Sequence, residues 1–199
     1  MVTISAQNVG GTWFGVAFGD RRILATSFGT TEKRVLDSLR NSIPKNTQLE
    51  PSEKHSAFGE QVISTMKDIY DGKEVMQDFS LESMNLSEYF RTVIDAVCKI
   101  PSGYVASYGS VARAVGGSPR AVGRVMALNP FAPLCPCHRV VASDFTLCGY
   151  GGGLETKLAF LRRERRGYQR NKEISIGKTT LKLFPVELVL KKAEKTSKH

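Results

Sequence analysis

Cysteine is scarce in this chain. There are four in 199 residues, none before Cys98, and no C-x-x-C pair occurs. So few thiols argue against a secreted disulfide scaffold and for reduced cysteines. The paired C-x-x-C spacing of structural zinc sites and the C-x-x-C of thiol redox motifs are both missing. Long apolar runs are missing as well. No stretch approaches the roughly 20 residues of a membrane span, and the start, MVTISAQNVGG, has neither the basic region nor the apolar run of a signal peptide. A cytoplasmic protein with no membrane association is the expectation. Histidine is represented three times, and His138 is the single one between residues 86 and 168. Internal repeats and low-complexity segments are absent.

What is present is enough apolar residue for a buried core, 41% of the chain, and an uneven positive charge. Residues 1–90 carry a net −3, residues 91–168 a net +7 and residues 169–199 a net +5, within a total of +9. The basic part also holds all four cysteines. Such asymmetry points to a polyanionic partner, most simply nucleic acid.

The first 85 residues read as an α/β domain. GTWFGVAFGDRRILATSFG (11–29) contains two β-rich apolar runs parted by Gly19-Asp20, the pattern of a hairpin. TTEKRVLDSLRNSI (30–43) and SAFGEQVISTMKDIYDG (56–72) have apolar residues at helical spacing, the first behind a threonine cap and the second ending at Gly72. The polar stretch 71–84 marks a boundary.

Residues 86–168 read as a mostly helical domain. Ser87 caps a helix with Phe90, Val93, Ile94 and Val97 on one face, stopped by Pro101 and Gly103. A short helix from Tyr108, a Gly116-Gly117 turn and a second helix with Ser118 as N-cap and Pro119 in its first turn make a helix-turn-helix, in a winged-helix-like arrangement. Asn129-Pro130 ends it. After PLCPCHRVV (133–141) come a glycine-rich loop, LCGYGGGL (147–154), and a closing helix over 155–168. In the basic extension 169–199, alternating Ile174, Ile176, Leu181 and Leu183 predict a short hairpin, and the last ten residues read as disordered.

The chemistry rests on Cys137 and His138. A thiol is a strong nucleophile once deprotonated, and His138 is the nearby base. Adjacent residues of an extended strand face opposite ways, so the two can cooperate only if the chain bends there or a water joins them. Prolines at 130, 133 and 136 favour an irregular backbone. Against this stands the reading of Cys137 as a small buried hydrophobe and His138 as a hydrogen-bonded loop residue, for which free cysteine has a general preference. A helix-turn-helix DNA-binding protein with a structural Cys-His pair and a multiple-turnover cysteine hydrolase are the corresponding alternatives.

The ordered set SPRAVG (118–123), Asn129-Pro130, PCHRV (136–140), GYGGG (149–153) and a closing helix with Glu164 resembles the O6-alkylguanine-DNA alkyltransferases. The resemblance covers about residues 86–168, and the first 85 residues match more loosely. It implies a single-turnover transfer of an alkyl group from O6 of a guanine, flipped out of duplex DNA, to Cys137. It further implies that His138 removes the thiol proton through a water and that Glu164 orients the imidazole. Tyr108 would donate to purine N3, Asn129 would tie the second helix to the active-site turn, and the Cys137 and Val140 carbonyls would accept from the exocyclic amine. Tyr150 would wall the pocket and the Gly151 amide would face O6. On the DNA side it implies Arg120 as the residue that enters the stack, with Ser118, Ala121, Gly123 and Arg124 on a helix laid in the minor groove. Cofactor and metal are not implied, and the expected state is a monomer on double-stranded DNA. Three departures stand out: Gly151 replaces a frequent serine, Cys148 a frequent glycine, and a structural zinc has no early cysteine to bind it.

Overall fold

A computed structural model describes residues 1–50, 56–75, 79–82 and 86–196. The chain is of mixed α/β type and divides into two compact units. The first comprises residues 1–70, 75–86 and 130–134, and the second residues 71–74, 87–129 and 135–199. Part of the 71–84 boundary stretch, residues 76–78 and 83–84, lies outside the described residues.

The first unit is a sheet in the order β1-β2-β3-β4, with β1 Thr3–Val9, β2 Thr12–Gly19, β3 Arg22–Gly29 and the two-residue β4 Ser80–Leu81. The expected hairpin is β2–β3, and β1 adds a strand that its polar sequence did not announce. The β2–β3 turn falls on Asp20 and Arg21, both left-handed at φ 49° and 58°, the backbone that two-residue hairpin loops require. Alternation along β2 sorts its side chains between two helices. Ala17 faces α1 (Glu32–Ser42) with Val35 and Leu39, whereas Phe14 and Phe18 meet Tyr70 and Phe58 of α2 (Ala57–Tyr70). Gly15 is what lets α1 approach, since a Cβ there would lie 2.5 Å from a Val35 methyl. Thr31 caps α1, accepting from the Arg34 amide.

The second unit opens with α3 (Glu88–Cys98), capped by Ser87, and β5 (Tyr104–Ser107), which runs directly into α4 (Tyr108–Val115). Gly116 and Gly117, at φ 86° and 89°, turn the chain into α5 (Pro119–Ala127). One turn of 3-10 helix at Cys137–Arg139 leads to the two-residue β6 (Val140–Val141), followed by α6 (Leu154–Arg163). The closing helix thus stops five residues before Tyr168. Its end is set by Glu164, whose side chain turns into the interior, and by the Arg166 amide, which donates to Glu187 at 3.2 Å.

The extension departs from expectation in its last part. β7 (Lys172–Ile176) and β8 (Thr179–Pro185) form the expected hairpin, and β8 pairs with β5 to give a sheet ordered β6-β5-β8-β7. The stretch read as disordered belongs instead to α7 (Val186–Thr196), up to residue 196; residues 197–199 lie outside the described ones. Val186, Val189 and Leu190 bury against Leu158, Leu161, Val105 and Val141, and this amphipathic stripe, masked by five charged residues among 187–195, supplies the missing stability. Among the described residues no helix is long and apolar enough to cross a membrane.

Candidate active site

A cavity of about 630 Å³ opens in the second unit with the Cys137 thiol on its wall. Three pieces of chain converge there. The start of α4 supplies Tyr108, one face of α5 supplies Arg120, Gly123 and Met126, and the loop 142–151 supplies Cys148, Tyr150 and Gly151. Gly123 lies against the Tyr108 ring, whose nearest carbon would be in ordinary contact, 3.8 Å, with a Cβ at that position.

The chain is bent, not extended, at Cys137 and His138. The Cys137 amide donates to Cys135 O at 2.8 Å and the Arg139 amide to Pro136 O at 2.8 Å, closing a tight turn around the pair. His138 is fully buried, its ring stacked on Phe160 with centroids 4.4 Å apart, and its Nε2 lies 2.9 Å from Glu164 Oε1. Glu164 is also fully buried and takes Arg139 through Nε at 3.0 Å to both oxygens and Nη2 at 2.7 Å. Arg139 Nη1 donates to Ile100 O at 2.6 Å. The glutamate's partners are therefore Arg139 and His138, not its sequence neighbours Arg163 and Arg165.

The charge states follow from this geometry. Burial pushes the Glu164 carboxyl up, but His138 and Arg139 outweigh it and hold it down at about 2. Burial pushes the His138 imidazole below its ordinary value; Glu164 opposes this, while Arg139 and Lys157 add to it. With Arg139 permanently charged and already neutralising the carboxylate, a neutral imidazole is the consistent state. A carboxylate can only accept, so the imidazole proton sits on Nε2 and Nδ1 carries a lone pair. That Nδ1 is buried and has no hydrogen-bond partner among the described residues.

The Cys137 thiol is pushed up by burial, against which the Asn129 side chain and the Lys157 charge favour the thiolate. Asn129 also donates to Cys135 O at 3.1 Å, fastening the end of α5 to the turn. The Tyr108 phenol is raised by burial and by the Cys148 and Cys137 thiols beside it, so it stays a proton donor at neutral pH. Burial raises Tyr150 too, with Cys137 next in effect. The Tyr150 hydroxyl is buried and has no hydrogen-bond partner of normal geometry among the described residues.

The other sequence-derived positions are spread more widely. Val140 is buried outside the cavity lining, its carbonyl accepting from Lys157 Nζ at 2.7 Å. Ser118 is spent on capping α5, accepting from the Ala121 amide at 3.2 Å. Ala121 is half-buried, and Arg120 and Arg124 are exposed along α5. Cys135 is fully buried. No group of three or more His, Cys, Asp or Glu side chains among the described residues is placed to hold a metal ion.

Two site residues escaped the sequence reading. Lys157 is fully buried and donates to Val140 O and, at 2.8 Å, to Cys148 O, joining the turn after Cys137 to the glycine-rich loop. The signal existed: Lys157, Leu161 and Glu164 recur at i, i+4 and i+7, so two charges lie on the apolar stripe of α6. Arg139 gave no such signal, because a single arginine before Val-Val reads as a surface residue of a strand.

Known proteins resemble this chain in sequence and in fold. The family described as "6-O-methylguanine DNA methyltransferase, DNA binding domain" matches residues 88–166. A methylated-DNA--protein-cysteine methyltransferase of Methanothermobacter thermautotrophicus is 39% identical over 105 residues, 52% of this chain, which spans 60% of that relative's length. The protein of the same description from Thermococcus kodakarensis is 32% identical over 156 residues, 76% of this chain and 88% of the relative. The crystal structure of O6-methylguanine-DNA methyltransferase from Pyrococcus kodakaraensis KOD1 superposes with a TM-score of 0.63 at 26% identity, covering 82% of this chain and 99% of the other. A relative 32% identical and matched over 88% of its length, together with the shared fold, leads to one assignment: the chain belongs to the methylated-DNA--protein-cysteine methyltransferase family.

Proposed function

We propose that this protein repairs DNA by direct reversal, transferring the alkyl group of O6-alkylguanine irreversibly to Cys137, once per molecule. The observation that carries the reading is the buried His138 Nδ1, without a hydrogen-bond partner among the described residues, on the residue that follows the cavity-lining Cys137, with the imidazole fixed by Glu164. A water between Nδ1 and Sγ takes the thiol proton to His138. The sulfur then attacks the alkyl carbon, the carbon–O6 bond breaks, and its electrons pass into the purine, where Tyr108 donates toward N3. A thioether and an unmodified guanine result, and no water path for turnover is needed. The Cys137 and Val140 carbonyls are assigned to the exocyclic amine, the latter shared with Lys157, and the Gly151 amide to O6.

Residues 86–168 are the transfer domain on this reading, and residues 1–85 a separate α/β domain. Helices α4 and α5 act as the helix-turn-helix, laid in the minor groove, where sequence is poorly read and a lesion in any context can be met. Arg120, exposed at the cavity mouth, fills the gap left by the flipped base; Ser118, Ala121, Gly123 and Arg124 face the backbone. One molecule carries every proposed residue, consistent with a monomer, and four free thiols suit the reducing cytoplasm.

Mass spectrometry after incubation with a duplex carrying O6-methylguanine tests the assignment: one methyl on the peptide containing Cys137, one equivalent per protein. An unlabelled protein that still binds DNA would point to the structural Cys-His alternative; repeated turnover would point to a hydrolase. For Arg120→Ala, duplex repair is expected to slow about tenfold while transfer from free O6-benzylguanine changes by less than about twofold. Equal slowing on both substrates contradicts the extrusion role. Gly151→Ser is expected to fold normally, since a Cβ there meets nothing within 4 Å. Its hydroxyl should speed transfer by about two- to tenfold if it reaches O6, read from single-turnover rates.

A further inference from the structure

The rim of the cavity is a turn that closes with its own hydrogen bonds, the Thr146 amide and hydroxyl donating to Asp144 Oδ1 at 3.1 and 2.7 Å, yet holds one residue in a strained conformation. Residues 142–146 reverse the chain with the Phe145 amide on Ala142 O at 3.0 Å and the Ala142 amide on Thr146 O at 3.2 Å. One limb carries Ala142 and Ser143 to the cavity, the other Cys148, Gly149 and Tyr150. Phe145 sits at φ 65°, a left-handed conformation that a bulky side chain adopts rarely and keeps only where its surroundings impose it.

Contacts from beyond residue 166, where the match to the family domain ends, join those of Val105, Val141, Leu158 and Leu161 in packing against Phe145. The Phe145 ring meets Phe184 of β8 edge-on, centroids 5.1 Å apart at 68°. Phe145 and Leu147 both pack on the cluster that includes Val186, Val189 and Leu190, and Phe184 packs there too. Lys192 of α7 lies 3.9 Å from Asp144 at the tip of the turn, an exposed pair of minor weight. The same β8 is also tied to the opposite wall: Phe184 pairs with Val105 of β5, three residues before Tyr108, and the Val186 amide donates to Gly103 O at 3.0 Å.

We propose that residues 172–196 are a positioning element of the transfer site. Phe184 holds Phe145, and through it the turn whose limbs bring Cys148 and Tyr150 into the cavity. This rests on the alkyl-transfer reading for its effect on rate, not for its effect on the loop. The basic charge of the extension is then secondary to its apolar face.

The experiment uses the full chain. In Phe184→Ala, single-turnover transfer from free O6-benzylguanine should fall about tenfold or more, because displaced reacting groups lose rate steeply. Duplex repair should fall in parallel, with affinity for unmodified duplex unchanged. Phe184→Tyr should restore the rate. Amide hydrogen exchange at 142–149 should accelerate in Phe184→Ala while that of α3 stays as in the native chain. Phe145→Gly is the second variant, since glycine takes φ 65° without strain and only the ring is lost; it should slow free-base transfer with little change in melting temperature. Free-base rates within twofold of native in both variants, or a loss confined to duplex affinity, would overturn the proposal. A native chain that labels no Cys137 would defeat the alkyl-transfer reading, and the exchange measurement would still decide the clamp.

Discussion

Cys137→Ala is expected to lose all alkyl transfer, to below detection, while keeping its affinity for duplex DNA. The thiol is the acceptor atom itself, so removing it leaves no sulfur to form the thioether. The other nearby thiols are poor substitutes. Cys135 is fully buried, its ionisation suppressed by that burial, and it does not line the cavity. Cys148 lines it, but on the loop limb beside Tyr108 and not on the 3-10 turn that carries His138. The helices proposed to dock on DNA are untouched by the substitution, because the side chain that fastens α5 to the turn, Asn129, bonds the Cys135 carbonyl and not the thiol alone. Labelled O6-methylguanine duplex and a binding titration read both halves of the expectation. Transfer surviving in the variant would remove Cys137 from its role.

Much of this arrangement was legible because local rules and tertiary structure agree. Thr31, Ser87 and Ser118 each cap the helix that their position predicts, and each side chain accepts an amide hydrogen bond from its first turn. The Gly116-Gly117 turn is fixed by backbone conformations that side chains rarely adopt. The proposed chemistry was legible as an ordered set of short motifs. What sequence could not give is the state of the pair: whether His138 turns toward Cys137 depends on a 3-10 turn, and its protonation depends on Arg139 and Glu164, 25 residues apart in the chain and joined only by folding. The tail failed for a different reason. Its lysines and glutamates mask an apolar stripe that becomes visible only once β5 and α6 offer a surface to bury it. Lys157 failed because a lysine on a helix is assumed to point outward; here three backbone carbonyls gather around it.

Arg139→Met is expected to reverse the sign of the pH dependence of stability as well as to slow transfer at neutral pH. In the native chain the Glu164 carboxyl is held at about 2, below its ordinary value, so the stability it contributes is complete above the ordinary carboxylate range and is lost as pH falls through about 2. The His138 imidazole is likewise depressed, so the native chain also loses stability on acidification below about 6.5, where the unfolded histidine takes up a proton that the folded one resists. Methionine removes the permanent cation and leaves a fully buried carboxylate with the imidazole as its remaining partner. An uncompensated buried charge costs about 3–5 kcal/mol, and the cheapest relief is protonation of His138. Its pKa then rises above the unfolded value, and the pair's contribution is present at low pH and lost as pH rises through the new folded value. Between about pH 8 and 6 the variant should therefore gain stability where the native chain holds level or loses it, read from denaturant midpoints. The same proton occupies Nδ1, turning the proposed base into a donor. Transfer from free O6-benzylguanine should fall by about 10²–10⁴ at neutral pH and recover partly at alkaline pH, where His138 is neutral again. A variant with the native slope of stability against pH and a uniformly low rate would mean that Arg139 supports the fold without setting the charge of His138.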